Sequence, residues 1–132
     1  MNTSPLPKLL KSSQNHEVTL AEYHGKNESG YQPLGDSVLV AFDRAADTTG
    51  GGVHLPQNMI ERMDMASESG VIVALGSEAF RWIADRTREW QGPKPKAGDR
   101  VYMERYSGQL LKGIDGATYR LCTDKCIGAV RL

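Results

Sequence analysis

Asp47-Thr48-Thr49-Gly50-Gly51-Gly52-Val53-His54-Leu55-Pro56 stands between two apolar runs, Ser37-Val38-Leu39-Val40-Ala41-Phe42 and Gly70-Val71-Ile72-Val73-Ala74-Leu75. Three successive glycines resist any regular element, because glycine loses more backbone freedom on ordering than other residues. The patch that follows, Val53-His54-Leu55 closed by Pro56, puts apolar side chains where a small domain has no core to offer them. Apolar residues on a loop can order against a partner surface. A glycine-rich hairpin with a short buried anchor has the same composition. The stretch alone leaves both readings open.

The flanks narrow the choice. Residues 37–42 and 70–75 are short and β-branched, bounded by Gly35-Asp36, Asp43-Arg44 and Gly76, which reads as strand. The connection from Asp43 to Ser69 is 27 residues long, well beyond the ~12–15 residues past which an unstructured loop is usually functional or disordered. Within it Met59, Ile60 and Met63 fall at helical spacing, so Asn58 to Met65 reads as a nascent helix, a short amphipathic turn packed on the barrel. The alternative is that the methionines add adaptable contact surface for a partner. From Ala97 onward, Arg100 to Arg105 alternates, with Val101 and Met103 inward and Tyr102 and Glu104 outward. Gln109 to Leu111, Thr118 to Leu121 and Ile127 to Val130 follow. Turn signals at Ser107-Gly108, Asp115-Gly116 and Thr123-Asp124 separate them, which predicts a small all-β barrel.

Composition excludes several classes. Acidic and basic residues number 16 each, so there is no excess positive charge for a phosphate backbone. No apolar run reaches the ~18–20 residues that span a bilayer. Residues 1–31 lack arginine and carry Glu17, Glu22 and Glu28, unlike a transit peptide, and Leu9-Leu10 is too short for a signal core. A cytoplasmic protein is expected. The same residues are polar and aperiodic and predict a flexible N-terminal tail ahead of a single domain over 32–132. No nucleophile elbow, zinc-protease, Walker or dinucleotide motif is present. The reading is therefore of a chain that is not an enzyme. Cys122 and Cys126 lack a second ligand pair nearby and read as buried free thiols rather than a metal site.

Residues 77–96 break the strand pattern. Phe80, Trp82 and Trp90 stand among Arg81, Arg86 and Arg88, followed by Gln91-Gly92-Pro93-Lys94-Pro95-Lys96. A projecting hairpin or short helix with an aromatic anchor accounts for them. The competing reading is a small barrel that binds single-stranded nucleic acid by stacking bases on this Trp/Arg segment.

Taken in order, Pro33-Leu34-Gly35-Asp36-Ser37-Val38-Leu39-Val40, the Gly-Gly-Val-x-Leu-Pro loop, Gly70 to Gly76, Ala97-Gly98-Asp99-Arg100-Val101-Tyr102, Tyr106-Ser107-Gly108 and Gly116 to Leu121 resemble the ten-kilodalton co-chaperonins, the GroES family. The resemblance runs from Gln32 to Leu132. It implies an irregular, partly open β-barrel with a long mobile loop (43–69) and a roof hairpin (77–96, carrying Phe80, Trp82 and Trp90). Seven such subunits would form a ring that caps a GroEL-type chaperonin and encloses substrate protein for ATP-dependent folding. The chaperonin contact maps onto Val53, His54 and Leu55, with Gly50, Gly51 and Gly52 before it and Pro56 after. ATP would belong to the partner, leaving this chain without a cofactor. First and last strands of neighbours would pair, placing Val38, Leu39, Val40 and Phe42 beside Ile127, Ala129 and Val130 of the next subunit.

The chain departs from the family pattern at His54, normally apolar, in the longer Met-rich loop, in the longer roof and in the N-terminal extension. These departures point to a divergent member, cellular or viral. A neutral His54 buried against the partner would make docking weaken on acidification.

Overall fold

The computed structural model describes residues 9–11, 17–45, 54–83 and 87–132. Strands β1 (Leu9–Lys11) and β2 (Glu17–Thr19) lead into β3 (Ser37–Phe42) and β4 (Arg44–Ala45). Helix α1 (Gln57–Ala66) follows, then β5 (Ser69–Leu75), β6 (Arg100–Met103), β7 (Gln109–Lys112) and β8 (Thr118–Thr123). A 3-10 turn, Asp124–Cys126, delivers the chain into β9 (Ile127–Val130). Six strands form one antiparallel sheet in the order β7-β8-β3-β5-β6-β9, and its ends do not join. The expected open, all-β arrangement is what the chain adopts, and the expected helix is present as α1.

β3 is the organising strand. It pairs with β5 on one edge, from Val38 against Leu75 to Phe42 against Gly70, and with β8 on the other, from Ser37 against Thr123 to Val40 against Arg120. Its pleat sends Val38, Val40 and Phe42 into the main core with Ile72, Val101, Met103, Cys122 and Ile127. Leu39 points the other way, into a second cluster with Val73, Ala74 and Tyr119, against which Tyr23 packs. Both faces are covered, which is why β3 is an unbroken apolar run rather than an alternating one. β6 has one covered face and alternates as expected: Val101 and Met103 are buried, Tyr102 exposed.

Gly70 and Gly76 allow close approach here. A Cβ on Gly70 would meet the Ala41 carbonyl at 2.5 Å, and one on Gly76 would collide with the Gly35 carbonyl.

The expectation of an irregular tail over residues 1–31 is corrected for its described part. β1 pairs with β2, and β2 with β4, as a second, three-stranded sheet. Tyr23 packs on the second core cluster, and Ser29 is fully buried. The sequence hid this because these strands are three residues long, too short to show a periodic pattern.

The segment 77–96 is a hairpin: Trp82 bridges Glu89, Ile83 N–H donates to Arg88 O at 2.9 Å, and Trp90 N–H donates to Arg81 O at 2.8 Å. Phe80 anchors it. This residue holds a left-handed backbone, φ 58°, unusual for a bulky side chain. Its N–H donates to the buried Asp124 Oδ2 at 2.9 Å, and its ring meets Trp90 edge-on at 5.2 Å.

Candidate functional site

The expected docking stretch, residues 50–56, is only partly described. Gly50, Gly51, Gly52 and Val53 lie outside the described residues. His54 is exposed and Leu55 half-buried, and Pro56 occupies the position just before α1, where a fixed φ suits helix entry. Pro56 supplies no side-chain cap, and the first turn of α1 carries no acidic residue. The N-terminal end of α1, the end facing the docking stretch, therefore has neither side-chain capping nor charge support.

The C-terminal end of α1 is fastened. Arg120 on β8 is fully buried, and its Nη1 donates to Ser67 O at 2.8 Å while Nη2 donates to Asp64 O. The Asp64 carbonyl also accepts the Ser67 N–H at 3.3 Å, so Arg120 reinforces the C-terminal cap of α1. The Arg120 guanidinium also lies 5.3 Å from the centre of the Phe42 ring. Burial lowers its pKa, and the neighbouring Cys122 and Asp64 oppose that shift.

On the other stem, Arg44 of β4 makes a two-pronged contact with the buried Asp64: Nε to Oδ1 at 3.1 Å, Nη2 to Oδ2 at 2.8 Å. Asp43 beside it is buried too. It accepts from Arg100 Nη2 at 2.7 and 2.8 Å, from Ser69 Oγ at 2.5 Å and from Ala21 N–H at 2.8 Å. Ser67 Oγ donates to Asp43 O at 2.8 Å. Asp43, Arg44, Asp64, Arg100 and Arg120 thus form the base from which the docking stretch departs. The sequence shows charges bounding an apolar strand, which ordinarily means solvated turns. Nothing in their spacing reveals that 20 to 57 residues of chain fold back to pair them.

The aromatic segment is not an open stacking surface. The Trp90 ring packs on Phe80 and its Nε1 donates to Pro93 O at 2.9 Å, while Arg81 covers Trp82 at 5.3 Å and also pairs with Glu78 at 3.2 Å. Arg86 lies outside the described residues and Arg88 is exposed. Both Trp rings are half-buried and already have partners within the hairpin, which counts against the base-stacking reading.

Cys122 is buried and Cys126 half-buried, and burial pushes the Cys122 thiol up to about 12, Cys126 adding to the shift and Arg120 opposing it. Among the described residues no three His, Cys, Asp or Glu side chains gather as metal ligands.

The expected ring residues divide. Val38, Leu39 and Val40 have no exposed surface and Phe42 is buried, and β3 is hydrogen-bonded along both edges. The expectation that β3 pairs with a neighbour's last strand is corrected: its backbone groups are already used within the subunit. β9 pairs with β6 alone and forms an edge of the described sheet. Beside it runs a groove of about 590 Å³ lined by Phe80, Trp90, Pro95, Ile127, Ala129 and Val130 among others.

Comparison with known proteins decides the family. A family model described as the chaperonin 10 Kd subunit matches residues 30–131. The chain belongs to the chaperonin 10 family. Proteins named co-chaperonin GroES from Leuconostoc citreum and Treponema pallidum are each 32% identical to it, the first over 99 residues, 75% of this chain and 96% of the relative. The second alignment covers 98 residues, 74% of this chain and 93% of the relative. A co-chaperonin GroES from Anoxybacillus flavithermus is 28% identical over 99 residues. The chaperonin 10 match begins after β1 and β2, so these two strands lie outside the matched region. It includes β4 and α1, and so the whole docking stretch. No described helix is long and apolar enough to cross a membrane.

Proposed function

We propose that this chain is a cytoplasmic co-chaperonin: a ring of seven subunits that caps a GroEL-type chaperonin and closes it over a folding substrate protein. The observation that carries the reading is the family match, which spans the Gly-Gly-Val-His-Leu-Pro stretch. The chain acts as a binding protein, not an enzyme. It holds no cofactor of its own, ATP being the chaperonin's. Gly50 to Gly52 let the stretch turn, and Val53, His54 and Leu55, closed by Pro56, make the contact.

The energetics favour many weak contacts. Burying Val53 and Leu55 contributes about 1.5–3 kcal/mol each. Ordering a segment on binding costs roughly 2–5 kcal/mol. One loop is near break-even, and a ring raises the effective concentration of every loop after the first. Weak single contacts also allow release.

For the ring contact, β9 and its groove supply one side. The opposite side is the extended segment just before β3, where Tyr31 is 44% and Leu34 is 78% exposed. Seating Leu34 in the neighbour's groove makes a head-to-tail contact of the kind that closes into rings.

The test is solution mass, alone and with a bacterial GroEL-type chaperonin plus nucleotide. A ring of subunits that joins the chaperonin only with nucleotide is expected. A monomer that joins no chaperonin under any nucleotide would refute the reading.

A further inference from the structure

The docking stretch connects β4 to α1; two contacts tie those two stems together, and a third braces the β4 stem. Arg44 on β4 grips Asp64 on α1 through two hydrogen bonds. Ser67, just past α1, donates to the carbonyl of Asp43, just before β4. β2 pairs along β4, Val18 against Ala45 and Thr19 against Arg44, and Ala21 N–H reaches the Asp43 carboxylate. The third tie comes from the extension that the family model does not cover. The ties hold the C-terminal end of α1, while its N-terminal end, next to Leu55 and Pro56, carries no side-chain cap.

We propose that Arg44, Asp64 and strand β2 position the docking segment: Arg44 and Asp64 hold β4 and α1 in one fixed relation and β2 braces β4, so the chain between them is presented from a rigid base. The proposal rests on the docking reading above. A fixed base restricts where the docking residues travel in the free ring, so less order remains to be imposed on capture. None of the three touches the partner in this account. Their loss therefore slows association, which requires the segment to be presented, and leaves dissociation, which breaks the docked contacts, unchanged.

The experiment compares full-length rings of wild type, R44A, R44K and V18P. V18P breaks the β2 to β4 pairing at a site separate from the ion pair, and R44K retains the charge without the two-pronged fork. Amide hydrogen exchange of α1 is read in the free ring. Association and dissociation rates are read on a bacterial GroEL-type chaperonin with ADP. In R44A and V18P, exchange over residues 57–64 should quicken and association fall about tenfold, with dissociation within about twofold of wild type. R44K should lie between, and covers the case in which R44A fails to assemble. L55A, a contact variant, should show the reverse split, faster dissociation with exchange in α1 unaltered. Association unaltered in both R44A and V18P overturns the proposal, as does a change confined to dissociation. A wild-type ring that binds no chaperonin removes the docking reading and the positioning role with it, and the exchange data then report only a structural tie.

Discussion

Arg120 is the residue on which the domain's two halves depend. It is the largest fully buried side chain, its Nε finds no hydrogen-bond partner, and its Nη atoms hold the last turn of α1. A buried guanidinium is stable here because carbonyls, the Phe42 face and the nearby Asp64 carboxylate replace water. Arg120→Met keeps much of the volume and removes the side-chain donors from the Ser67 and Asp64 carbonyls. It should cost about 2–4 kcal/mol and reduce helical signal, as read by urea unfolding followed by circular dichroism. Cys122 offers a second test. An unfolded thiol ionises near its ordinary value of about 8.5, whereas the native one keeps its proton to about 12. Between those values the unfolded chain binds fewer protons than the native one, so stability falls as pH rises, by at most about 1.4 kcal/mol per unit. Below pH 8 the effect is absent. Cys122→Ala should flatten the decline in urea midpoint between pH 9 and 11. A thiol reagent at pH 8 should label Cys126 well before Cys122 in the native ring.

At the scale of elements, the docking stretch and β9 carry separate predictions. Leu55→Asp places a charge where an apolar contact is expected and removes about 1.5–3 kcal/mol per loop. Summed over a ring, this should abolish co-sedimentation with the chaperonin while the ring's own mass stays unchanged. Leu34→Asp acts on the other function. Leu34 is 78% exposed, so the monomer should melt as wild type does. The charge should instead block seating in the neighbour's groove, and sedimentation velocity should show monomers. Intact rings of L34D would mean that another surface joins the subunits.

For the molecule as a whole, the open sheet leaves β7 and β9 as edges. An unpaired edge invites another strand, and β9 with its apolar groove is the edge for which the ring reading has a use. The extension works in the other direction. It adds β1 and β2 to β4 and brings Tyr23 onto the second core cluster, so it belongs to the body of the subunit rather than to its periphery.

The sequence by itself determined the local elements and the family. Val38 to Phe42, Gly70 to Leu75 and Ile127 to Val130 are legible as strands because side-chain chemistry and bounding turns act within a few residues. The helical spacing of Met59, Ile60 and Met63 is legible for the same reason, but Met59 is exposed and the buried residue of α1 is Asp64. The order of motifs around the triple glycine was enough to indicate the chaperonin 10 family. Only the tertiary structure decided that β3 is central and therefore closed to neighbours, that residues 17–31 pack on the domain, and that Asp43, Arg44, Asp64, Arg100 and Arg120 converge on the stems of the docking stretch. Strand order and buried ion pairs join residues far apart in the chain, such as Asp43 with Arg100 and Arg44 with Asp64. Local composition is the same whether such charges meet inside the fold or stand apart in water.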